Sequence, residues 1–166
     1  MTNLPLKNYT SAVPVDRTIA TIERLIAEAG ATRIQKEFGP TAKIAALMFT
    51  ISTRDGKPFT IRLPADAEAI FAELWKGVRR PRSETKDRIQ EQAERTAWKL
   101  MLDWTLVQFS LIKLQQREPL EVFLPFVWDA STHQTYFQIL DQGKFKALPA
   151  GRSEERRVGK ECRSRW

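Results

Sequence analysis

Apolar residues recur at three- and four-residue steps from Ile19 through Ile22, Leu25 and Ile26 to Ala29, which predicts a helix over residues 17–29 with one buried face. Gly30 supplies a left-handed stop. Upstream, Tyr9, Thr10, Val13 and Val15 favour extended backbone, so residues 8–15 are expected to form a short strand that ends where Asp16 caps the helix. Beyond Gly30 the period falls to two. Residues 32–38 read as a strand closed by Gly39-Pro40, and Ala45, Leu47, Phe49 and Ile51 alternate as in a sheet with one face on the core. Asp55-Gly56 predicts a two-residue hairpin loop, after which Phe59, Ile61 and Leu63 resume the alternation with Thr60 and Arg62 outward.

Pro64 ends this strand, and Asp66 and Glu68 open a helix whose buried stripe is Ile70, Phe71, Leu74, Trp75 and Val78, stopping near Gly77. Residues 79–82 (RRPR) form a basic linker. Ser83 then caps a long helix over residues 84–116. Glu91, Arg95, Lys99 and Asp103 make a charged stripe on it, opposite Ile89, Ala93, Thr96, Leu100, Trp104, Val107 and Leu111. Trp98, Leu102, Phe109 and Ile112 add a second apolar flank, which is either wrapped by the C-terminal segment or paired with another subunit as a homodimer. Residues 119–128 (PLEVFLPFVW) begin as a helical turn broken at Pro125 and pack back on the long helix; residues 129–134 form a loop. Tyr136, Phe137, Ile139 and Leu140 predict a short helix stopped at Gly143, with Phe145 and Leu148 as anchors.

The fold class that follows is α+β: an antiparallel sheet in β-α-β-β-β-α order with helices on one face, then a long helix and a short helical C-terminal segment. A single domain over residues 1–151 is expected, large enough to bury about two-thirds of its unfolded surface. The most hydrophobic window, residues 97–114, is interrupted by Lys99, Asp103, Gln108 and Lys113, so no membrane span is expected and the chain reads as soluble.

Composition changes its meaning at the C-terminus. Arg152 to Trp166 (RSEERRVGKECRSRW) is identical, residue for residue, to the translation of a common short-read sequencing adapter, so it reads as an artefactual, disordered tail outside the domain. Setting aside its six basic and three acidic residues takes 27 basic and 20 acidic residues to 21 and 17, and the net charge from +7 to +4. A pI near 9.8 suggests a nucleic-acid partner on charge alone; a surplus of four does not. The single cysteine, Cys162, lies in the same stretch, so the rest of the chain offers no disulfide, thiolate zinc site or cysteine nucleophile.

This order of elements, with NYTSAVPVDRTIATIERLIAEAGA, EQAERTAWKLMLDW and EVFLPFVW, resembles a group of small uncharacterised proteins of bacteriophages and prophages across residues 7–149. The resemblance implies a mobile-element protein of the bacterial cytoplasm and carries over no functional residue. Residues 16–79 also run helix, three strands, helix, the order of double-stranded-RNA-binding domains. Those domains begin their second helix with lysines that hold phosphates, whereas this one carries Asp66 and Glu68.

Catalytic chemistry finds little support. His133, the only histidine, sits in a polar loop after Asp129, where a general base with an orienting carboxylate is conceivable and an exposed loop residue is the plainer interpretation. Asp87, Glu91, Glu94 and Asp103 share the long helix but alternate with Arg88, Arg95 and Lys99, as surface ion pairs do, so no metal is expected. No nucleophile elbow or glycine-rich phosphate loop occurs, and no cofactor or small-molecule substrate is inferred.

Basic residues are the remaining candidates. Arg33, Lys36, Lys43, Arg54, Lys57 and Arg62 lie on the strands and their hairpin, and Arg79, Arg80, Arg82, Lys86 and Arg88 on the linker and helix start. The leading expectation is a non-enzymatic accessory protein that binds nucleic acid weakly through Arg54, Lys57, Arg62, Arg79, Arg80, Arg82, Lys86 and Arg88. The alternative is a protein-interaction module or host-factor inhibitor using the apolar flank of the long helix and residues 119–128.

Overall fold

A computed structural model describes residues 6–146. The chain is α+β. Helix α1 (Val15–Glu28) leads into strands β1 (Arg33–Phe38), β2 (Ile44–Ser52) and β3 (Pro58–Pro64), which form an antiparallel sheet in the order β1-β2-β3. Helices α2 (Ala67–Lys76) and α3 (Thr85–Lys113) follow, then α4 (Pro119–Phe123) with a 3-10 turn (Leu124–Phe126), a two-stranded ribbon of β4 (Trp128–Asp129) and β5 (Gln134–Thr135), and α5 (Tyr136–Gln142).

Ile19, Ile22 and Ile26 of α1 are buried at 0–1% exposure against Leu47, Phe49, Ile61 and Leu63 of the sheet, as their spacing predicts. Cross-strand register places Leu47 beside Leu63 and Phe49 beside Ile61, while Arg33, Thr50 and Thr60 line the opposite face. Trp98 and Phe109 of α3 complete the core, and Phe123 closes it, its ring 5.6 Å from those of both Phe49 and Phe109. From Phe123 the chain passes the outer edge of β3, where Val127 bridges Ile61, and Trp128 emerges on the other face under the guanidinium of Arg62, 5.4 Å away.

Several local expectations are corrected. Residues 8–15 form no strand: Asn8 turns at φ 62°, and the segment is tied to α3 by side chains instead. Gln92 donates to the carbonyls of Tyr9 and Ser11, Thr96 to that of Asn8, and Asn8 to Asp103. The helix begins one residue before Asp16, with Pro14 at the N-cap and no side-chain cap. The hairpin uses a three-residue loop, not two: Gly56 donates to Thr53 O, and only Gly56 has positive φ, at 76°, so Asp55 occupies an ordinary turn position. Ser83 is not the cap of α3; Glu84 holds that position without a side-chain bond, and the Thr85 hydroxyl accepts from Arg82 N–H.

The stripe of α2 is only half-buried, because this helix lies on α3 at the periphery rather than on the sheet. On α3 the buried face keeps Ala93 and Thr96, as expected, and extends over the second apolar flank. Trp98 and Phe109, of the flank expected either to be wrapped by the C-terminal segment or to pair with another subunit, are 3% and 9% exposed in the core, where Phe123 of the C-terminal segment meets Phe109, whereas Val107 is 55% exposed. Residues 129–134 are not a plain loop: Asp129 accepts from Ser131 and Thr132, His133 takes φ 54°, and the turn so made pairs β4 with β5. Phe145 meets Phe137 at 5.9 Å but stays 37% exposed. Leu148 and residues 152–166 lie outside the described residues.

Two features of α3 have measurable consequences. Asp103 meets Lys7 at 2.9 Å, Asn8 at 3.1 Å and Lys99 at 3.2 Å, and these bonds, that of Lys7 first, hold its carboxyl down at about 2. Its depressed value means the stabilisation is complete above the unfolded value near 3.8 and is lost as pH falls toward 2. Asp103→Asn is therefore expected to destabilise by roughly 1 kcal/mol at neutral pH, after allowance for solvent screening, with the gap from wild type closing in urea titrations between about pH 4 and 2. Thr105 is fully buried, and among the described residues its hydroxyl has no hydrogen-bond partner. Thr105→Val removes that unsatisfied group at nearly equal shape and is expected to stabilise by about 1 kcal/mol in thermal melts; a loss of that size would show that the hydroxyl is bonded.

Candidate nucleic-acid interface

The sequence presents the basic residues as one surface; the fold divides them. Lys36 and Lys43 point to the helical side, where Lys36 meets Glu23 at 3.0 Å and Lys43 meets Glu94 at 2.7 Å. Arg62 faces the other way and makes two 2.7 Å bonds to Glu37 across the sheet, which raise the arginine and hold the glutamate below the usual carboxylate range. Arg54, in the hairpin loop, pairs with Glu118. Of the strand and hairpin cations, only Arg33 and Lys57 have no carboxylate within ion-pair distance among the described residues.

The linker differs. Arg79, Arg80, Arg82, Lys86 and Arg88 are all exposed, and none forms an ion pair among the described residues. Gly77 ends α2, and Pro81 disfavours helical backbone at Arg80, so the chain must turn before α3 begins. That turn brings Arg79, Arg80, Arg82 and Arg88 around a cleft of about 420 Å³ that Glu84, Thr85, Val78 and Ile89 also line. Lys86 stands outside it. The cleft lies at the N-terminal end of a 29-residue helix, where the macrodipole adds positive potential, tempered by Glu84 at the cap and Asp87 in the first turn.

The hairpin cations are remote from this cleft. Arg54 lies beside Ile112 and Glu118, and the 24 residues from Arg88 to Ile112 span roughly 36 Å of helix. The two groups thus occupy opposite ends of α3. Asp66, which sequence places against phosphate binding, serves the fold instead by capping α2, where it accepts from Ala69 N–H at 2.9 Å.

Acid-base and metal candidates are not brought together. Bonds from Ser131, then Thr132, keep the Asp129 carboxyl below its ordinary range, while His133 packs edge-on to Trp128 at 6.3 Å. Glu94 holds Lys43, Glu91 lies 3.6 Å from Arg95, and Asp103 is engaged with Lys7 and Lys99; among the described residues no three potential ligands gather around a common point. No helix of the described residues is long and apolar enough to cross a membrane. The stacking of Arg62 on Trp128 escapes sequence reading because its members come from segments that only the chain's passage round β3 brings together. Comparison with protein-family models, with curated proteins and with solved structures found no match.

Proposed function

We propose that the chain is a non-enzymatic accessory protein of a phage or other mobile element, and that it binds nucleic acid weakly and without sequence preference through the linker between α2 and α3. What supports this is the gathering of Arg79, Arg80, Arg82 and Arg88 around one cleft, where they outnumber its one carboxylate, Glu84, and none of them forms an ion pair among the described residues. Guanidinium groups left free in this way neutralise phosphates and release counterions, which gives salt-sensitive binding that is indifferent to base sequence. The strands contribute less, since four of their six cations are already paired. The protein-interaction alternative cannot use Trp98 and Phe109, which the core takes up, and would rest on the exposed Leu106, Val107, Leu120 and Leu124 instead. Fluorescence anisotropy with labelled duplex and single-stranded oligonucleotides at low salt tests the proposal: binding to several unrelated sequences with similar affinity is expected, and its absence for all of them refutes it.

A further inference from the structure

β1 is the first strand of its sheet, and among the described residues no strand pairs with its outer edge. Such an edge leaves backbone N–H and C=O groups open to another chain. Arg33, Gln35 and Glu37 face away from the helices on this strand, beside Thr50, Met48 and Ala46 of β2. Arg33 and Gln35 are exposed, and Glu37 is half-buried where it holds Arg62.

The charges are placed symmetrically about Gln35, a cation two residues before it and an anion two residues after. In an antiparallel pair related by a two-fold axis, residues that face one another lie on the same side of the sheet. With Gln35 on the axis, Arg33 of each copy lies opposite Glu37 of the other, so two ion pairs form together. A carboxylate bound to one guanidinium retains lone pairs for a second. On the helical side the same register sets half-buried Ile34 opposite Lys36, whose aliphatic stem can cover it. Moving the axis to Lys36 would face two lysines; moving it to Ile34 would set Glu37 opposite Ala31, without a cation. Charges on a strand edge ordinarily discourage pairing, but this order is complementary to itself in one register and opposes the next.

We infer that two copies of this chain associate through antiparallel pairing of β1 with β1, Gln35 on the two-fold axis, joining two three-stranded sheets into one. This surface is distinct from the long-helix flank, whose Trp98 and Phe109 are buried within the protomer. An interface confined to a strand edge falls below the ~1,200 Å² of stable complexes, so the association is expected to be weak and reversible.

Sedimentation equilibrium of the full chain across the micromolar range is expected to show a reversible monomer–dimer equilibrium. Gln35→Lys sets two ammonium groups face to face and is expected to weaken the dimer by roughly tenfold or more; Gln35 is exposed and makes no side-chain hydrogen bond among the described residues, so the variant should fold. In a Cys162→Ser background, a short bis-maleimide should join Gln35→Cys chains and leave chains with Phe38→Cys, an exposed position whose two copies lie roughly 20 Å apart in this register, largely unlinked. A chain that stays monomeric throughout overturns the inference. So does a dimer that survives Gln35→Lys, or one that shows no preference for linkage at position 35.

Discussion

Phe123→Ala is expected to destabilise the protein by roughly 3–5 kcal/mol. Phe123 is 0% exposed, and its ring stands edge-on to Phe49 at 5.6 Å and to Trp104 at 5.7 Å, with Phe109 at 5.6 Å. It lies on a helix of only five residues, too short to persist alone, so the ring, with Val122 and Phe126 beside it, holds the C-terminal segment on the core. Truncation therefore opens a cavity between sheet and α3 and also loosens the path that brings Val127 to Ile61 and Trp128 to Arg62. For a chain of this size the loss corresponds to a fall in Tm of about 6–20 °C, readable by calorimetry, whereas Phe123→Leu should lose less than about 1.5 kcal/mol. A drop below about 1 kcal/mol on Phe123→Ala would mean that α4 does not close the core in solution.

Reversing the linker charges, with Arg79→Glu, Arg80→Glu and Arg82→Glu combined, is expected to reduce oligonucleotide affinity by about 100-fold or more at low salt. Three of the four cleft arginines are replaced by groups that repel phosphate, while the fold is untouched because the linker side chains are exposed and make no side-chain ion pairs among the described residues. Lys57→Glu at the opposite end of α3 provides the contrast, with an expected change of no more than a few-fold. Equal losses from linker and hairpin would point to diffuse attraction by net charge rather than to a site.

Local periodicity made the main elements legible before any coordinates. The three- and four-residue spacing of Ile19, Ile22 and Ile26 and the alternation of Leu47, Phe49 and Ile51 report burial on one face, and both faces are buried as expected. What the pattern missed depends on partners distant in sequence. Tyr9 and Val13 have strand propensity, yet Gln92 and Thr96 bind their segment as a turn. Trp98 and Phe109 read as a second flank with two possible covers, and only the fold decides between them, by bringing Phe49 and Phe123 onto Phe109. The basic residues were legible as residue types but not as a site, since charge pairing decides which remain free. Glu23, Glu94 and Glu118, each far along the chain, occupy Lys36, Lys43 and Arg54, and no such carboxylate reaches the linker arginines among the described residues.

The most direct test is the salt dependence of oligonucleotide binding by the wild-type chain. If the four arginines of the cleft each meet a phosphate, a plot of log K against log salt for duplex DNA should fall with a slope near −3.6, roughly a 150-fold loss between about 50 and 200 mM salt, and the linker reversal should flatten it toward about −1. No retention at the lowest salt, or a slope unchanged by the linker reversal, would contradict the account.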